Sequence, residues 1–108
     1  MPSSTSIAEK LDGLLAAFND HDIDRIMSYF AQDCALQLPR GPEPHGLRVE
    51  GFDAVKAALN SRLEGIPDIH YRGDGNYVDG NVGISKWLLT GTTTAGQNIA
   101  GQGCDFYE

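Results

Sequence analysis

The chain has 108 residues, 41% of them hydrophobic and 21% charged, which suits one domain with a single hydrophobic core. A net charge of −7 with no offsetting basic stripe argues against a nucleic-acid partner. No stretch approaches the ~18 apolar residues of a membrane span, and MPSSTSIAEK at the start lacks a basic segment leading into an apolar run, so the expected setting is the cytoplasm.

The first six residues read as a flexible terminus, with residues 7–108 as a single domain. Ser6-x-x-Glu9 is a capping box, and Ile7, Leu11, Leu14, Leu15 and Phe18 recur at helical spacing behind it. Asn19-Asp20-His21 breaks that helix, and Asp22 caps a second one whose apolar stripe is Ile23, Ile26, Met27 and Phe30. Asp33 to Pro39 reads as a strand ended by proline, followed by a loop from Arg40 to Glu50 that contains His45. Gly51 precedes a third helix with Phe52, Val55, Leu59 and Leu63 on one face.

Ile66 to Val78 is a long extended segment, and Asp79-Gly80 signals a hairpin. Asn81 to Thr94 is the return strand, Ala95-Gly96 turns again, and Asn98 to Glu108 is the last strand. The sequence stops while still strand-like, which is the expectation for a domain whose final strand is missing. Cys34 and Cys104 have neither CxxC spacing nor a neighbouring histidine and read as small core residues. No pair of histidines has metal-ligand spacing and no glycine-rich loop joins a strand to a helix. Neither a metal nor any other cofactor is indicated.

Three helices, a loop ending in Gly51, and hairpins carrying Lys86-Trp87 and Gly91-Thr92 resemble the SnoaL-like branch of the nuclear transport factor 2 superfamily, from Ile7 onward. The resemblance implies an α+β fold, a curved and mostly antiparallel sheet wrapped around a pocket that the helices close. It also implies a homodimer through the outer face of the sheet. It places Asp105 inside the pocket, where the related ketosteroid isomerases carry an acid that hydrogen-bonds the substrate oxygen. Two other isomerase positions are occupied by Leu14 and Leu38, which can neither donate nor abstract a proton, so that reaction is not expected here.

If Ala95-Gly96 is a two-residue turn, Lys86 lies opposite Asp105; a turn at Gly96-Gln97 brings Leu88 opposite instead, and an odd-length turn separates Lys86 from Asp105. Beside apolar neighbours Asp105 would be driven towards its neutral form, whereas Lys86 would keep it ionised. Trp87 then falls on the other face, at the dimer contact. Tyr107 shares the face of Asp105, and His45 stands near the pocket mouth as an acid/base partner. His21 reads as solvent-exposed and His70 as outer-surface. The ligand-binding set is Leu14, Phe18, Tyr29, Leu38, Lys86, Leu88 and Tyr107, with Asp105 and His45 as the catalytic pair. Two functions remain open: a cofactor-independent cyclase, isomerase or dehydratase for a small apolar oxygen-bearing molecule, or a non-catalytic ligand-binding or dimerisation module.

Overall fold

The computed structural model describes residues 6–44 and 46–108, with the backbone alone described for 40–43. Helix α1 spans Ile7–Asn19, and its start is set by Ser6, whose Oγ accepts the Glu9 amide at 3.1 Å. Leu11, Leu14, Ala17 and Phe18 form its buried stripe. Helix α2, Ile23–Met27, is capped by Asp22, which accepts the Arg25 amide at 3.2 Å. It is shorter than the apolar stripe suggests: the chain tightens after Met27, with Tyr29 N donating to Ile26 O and Phe30 N to Met27 O.

Strand β1 runs Ala35–Glu43 and pairs antiparallel with β2, Gly46–Glu50. The expected loop therefore contains a strand, and Pro39 does not end the one before it. The register shifts between Leu38 and Glu43, and a proline without an N–H is tolerated where the ladder is already irregular. Helix α3 spans Phe52–Gly65 and buries Val55, Leu59 and Leu63 as their spacing requires. Gly51 leads into it at φ +95°, a conformation open to glycine and disfavoured for residues with a Cβ.

Strands β3 (His70–Asp79), β4 (Val82–Thr92) and β5 (Asn98–Tyr107) form a second antiparallel sheet in the order β3-β4-β5. Strand β3 begins later than its apolar run, because Ile66–Ile69 turns first, with Ile69 N donating to Ile66 O. The β3–β4 turn has Gly80 and Asn81 as its central residues, and Gly80 supplies the positive φ of +61°. The core lies between the helices and the inner face of this sheet: Ile26, Met27, Val55 and Ile69 are fully enclosed, and Phe18, Leu59 and Tyr71 pack with them. The whole is an α+β arrangement with an open sheet, as the sequence leads one to expect.

Two side chains fasten the helices to the edge of β3. Asn19 donates Nδ2 to Tyr71 O at 2.8 Å and accepts Tyr71 N on Oδ1 at 2.7 Å. His21 is exposed as expected, yet its Nε2 lies 2.8 Å from Ile69 O, and its backbone adopts φ +54° to bring the ring there.

Candidate functional site

The position of every side chain on β5 depends on its register with β4. Thr92 pairs with Asn98, so the connection is five residues long, Thr93 to Gln97, closed by Thr93 N donating to Gln97 O at 2.9 Å. That odd length puts Lys86 opposite Cys104 and Ser85 opposite Asp105. Lys86 is therefore on the face away from Asp105, where it pairs with Asp74 at 3.4 Å. Leu88 pairs with Gln102 on that same outer face. Neither serves a pocket around Asp105, and the expectation for both is corrected by one residue of register.

The same shift brings Trp87 inward. It lies between Gly73 and Gly103 across the sheet, and its indole spreads over Gly103: a Cβ there would stand 2.7 Å from the ring carbon Cη2. The close approach aims the ring nitrogen along the strand, and Nε1 donates to Asp105 Oδ2 at 3.0 Å. Tyr107 donates its hydroxyl to the same oxygen at 3.3 Å. Trp87 therefore belongs to the inner face and not to a dimer contact. Tyr71 meets its ring edge-on, with centroids 5.3 Å apart, and meets Phe18 at 5.5 Å.

Around Asp105 these residues make a narrow inner chamber lined by Leu11, Leu14, Phe18, Arg62, Tyr71 and Ser85, with Trp87 and Tyr107. Its free volume is about 10 Å³, room for one water. Both hydrogen bonds to Asp105 end on Oδ2. Among the described residues no buried side-chain oxygen or nitrogen is left unpaired, so Oδ1 remains in contact with open space. Burial, followed by the nearby charge of Asp105, pushes the Tyr107 hydroxyl far above the ordinary tyrosine value of 10.0. Tyr107 is thus a neutral donor throughout the physiological range.

A second, larger space of about 720 Å³ opens beside the chamber. Its walls include Ile7, Leu11 and Leu14 of α1, Tyr29 and Phe30 after α2, and Tyr107. Leu11, Leu14 and Tyr107 line both spaces and form the partition between them. Tyr29 reaches this groove because α1 carries Gly13 beneath its hydroxyl, where a Cβ would collide with the oxygen.

Of the residues expected from sequence, the structure thus brings Leu14, Phe18, Asp105 and Tyr107 together in the chamber and Tyr29 to the adjoining groove. Leu38 is half-buried opposite Leu47 in the β1–β2 pair and lines neither space. His45 lies outside the described residues, as do residues 1–5 of the expected flexible terminus. Trp87, Tyr71 and Arg62 were not expected. Arg62 had a legible signal: it stands seven residues after Val55 and three after Leu59, on the flank of the buried stripe of α3. Among the described residues no cluster of three histidines, cysteines or acids could hold a metal ion.

The family model described as SnoaL-like domain matches residues 11–108. The chain belongs to the SnoaL-like family. Its fold is nuclear transport factor 2-like. A cystatin-fold protein from Novosphingobium aromaticivorans superposes with a TM-score of 0.80 at 18% identity, covering 97% of this SnoaL-like chain and 89% of that one. A nuclear transport factor 2-like protein of unknown function from Burkholderia pseudomallei gives 0.82 at 18% identity, over 96% and 82%. A Mycobacterium tuberculosis protein, solved in complex with estradiol-17beta-hemisuccinate, gives 0.77 at 14% identity, over 96% and 84%. At such identities the likeness concerns the fold. No curated protein matches the sequence. Among the described residues of this SnoaL-like chain, no helix is long and apolar enough to cross a membrane.

Proposed function

We propose that this SnoaL-like chain, as a single domain over residues 7–108, is a cofactor-independent enzyme of the cyclase, isomerase or dehydratase kind. Its substrate is a small, largely apolar, oxygen-bearing molecule, and Asp105 is its acid/base. The observation that carries this reading is the unequal treatment of the Asp105 oxygens: Trp87 and Tyr107 fix Oδ2, while Oδ1 stays reachable. A carboxylate held by one oxygen and open at the other is oriented to exchange a proton. The ligand's apolar body would occupy the groove against Leu11, Leu14 and Tyr29, with its oxygen-bearing end in the chamber once Tyr107 shifts. His45 would assist the exchange at Asp105. The steroid-ester complex of the M. tuberculosis protein supports a pocket reading on the same fold.

The test is turnover of a panel of apolar ketones and polyketide-like compounds by the wild type and by Asp105→Asn. Loss of about 10²-fold or more in rate, with binding retained, supports the reading. A non-catalytic binding module is the second reading, favoured by the small free volume at Asp105. It predicts ligand binding with no turnover in either protein.

We place the homodimer contact on the outer sheet face. Tyr77, Ile84 and Phe106 are directly paired across three strands there, and Tyr77 and Phe106 are 56% and 70% exposed. The free thiols of Cys34 and Cys104 fit a reducing, cytoplasmic setting.

A further inference from the structure

Ser85 is buried, only 5% exposed, and the acid/base reading gives it no task. It lies in β4 on the inner face, between Asn76 of β3 and Asp105 of β5. Asn76 turns its amide away to α1, donating Nδ2 to Asp12 Oδ1 at 2.7 Å. Asp105 gives its Oδ2 to Trp87 and Tyr107. Among the described residues the Ser85 Oγ has no hydrogen-bond partner. No buried side-chain oxygen among them is sealed without one, so Oγ borders open space, and the space that Ser85 lines is the chamber. Asp105 Oδ1 opens on the same space, and directly paired residues of two strands hold their Cβ atoms about 5 Å apart. A hydroxyl and a carboxylate oxygen thus face one volume of about 10 Å³ without closing on each other.

We propose that Ser85 Oγ and Asp105 Oδ1 form a subsite for a single hydroxyl group, and that the ligand is an uncharged alcohol or phenol on an apolar frame. This deepens the reading of the inner face as a small-molecule site; it rests on binding there and not on turnover. The volume sets the size of the group, since room for one water is room for one hydroxyl. The two walls set its chemistry. A carboxylate oxygen only accepts, whereas a serine hydroxyl also donates. A ligand hydroxyl donates to Oδ1 and accepts from the Ser85 hydroxyl, so both walls are satisfied at once. A carbonyl accepts from Ser85 but turns its lone pairs on Oδ1. A methyl group leaves both walls unpaired and desolvated. An ammonium meets the Arg62 guanidinium, which lines the same chamber, and an anion meets Asp105.

The test compares 2-tetralol, 2-tetralone and 2-methyltetralin, three uncharged molecules on one frame, in wild type and Ser85→Ala. Dissociation constants are read from the indole N–H resonance of Trp87, whose nitrogen bonds Asp105. Wild type should bind 2-tetralol about 10- to 100-fold more tightly than 2-methyltetralin, with 2-tetralone between them. Ser85→Ala should lower that preference about 10-fold and leave 2-methyltetralin as tightly bound as before. Should the variant fail to fold, the wild-type order of the three ligands still decides. A preference that survives Ser85→Ala unchanged overturns this inference alone, as does equal affinity of the wild type for the alcohol and the ketone. An equal loss for all three ligands assigns Ser85 to packing and also overturns it. An indole resonance that none of the three moves overturns it together with the inner-face site.

Discussion

Asn19 sits at the end of α1 with both ends of its side-chain amide bonded to the backbone of Tyr71, so that one side chain replaces a neighbouring strand at the free edge of β3. Alanine there leaves a part-buried N–H and C=O without partners, at a cost of about 2 kcal/mol. Thermal unfolding of Asn19→Ala should therefore shift down by roughly 8–16 °C for a domain of this size. Tyr107 makes a different prediction. Its hydroxyl is held protonated in the folded chain by burial and by Asp105. The associated stability is complete below 10.0, the ordinary value, and is lost as pH rises above it, because only the unfolded chain then ionises readily. Urea melts from neutral pH to about pH 11 should show that loss, and Tyr107→Phe should lose less over the same span.

At the scale of elements, β5 is built around Trp87. Gly103 exists opposite the indole because the ring occupies the space a Cβ would need. Gly103→Ala should lift the single tryptophan off the strand, break its bond to Asp105 and red-shift its fluorescence, while leaving the fold in place. Asp68 ties the far end of β4 to the α3–β3 connection: its Oδ1 accepts the Thr92 amide at 2.6 Å, and that bond holds its carboxyl below the ordinary value. The contribution is present above 3.8, the ordinary aspartate value, and disappears as pH falls through the lowered one. Acid unfolding of Asp68→Asn should accordingly be flatter than that of the wild type below about pH 4.

Helices α1 and α3 were legible from their stripes, because Leu11, Leu14, Val55 and Leu59 are buried by simple periodicity. The face of Trp87 was not legible. It depends on whether the β4–β5 connection has two residues or five, and Ala95-Gly96 lies within both alternatives. One residue of register exchanged Lys86 for Trp87 at Asp105 and turned an expected ion pair into an indole hydrogen bond. Strand β2 was hidden for another reason: Pro39 to Gly46 is rich in turn residues, and pairing across an irregular ladder leaves no local pattern.

Over the whole molecule, the sheet has two unlike faces. The inner face gathers Tyr71, Trp87, Asp105 and Tyr107 under the helices, and the outer face carries Tyr77, Ile84 and Phe106 in a row. Apolar material on the outer face is what the proposed dimer contact would cover, whereas polar groups converging within an apolar wall form the proposed ligand site. The central claim is that small molecules bind on the inner face at Asp105. The most direct test is a titration of 15N-labelled protein with an apolar ketone, following the single indole N–H resonance of Trp87. The account predicts that this resonance moves together with the amides of Asp105 and Tyr107. Shifts confined to Tyr77 and Ile84, with the indole unmoved, would contradict it.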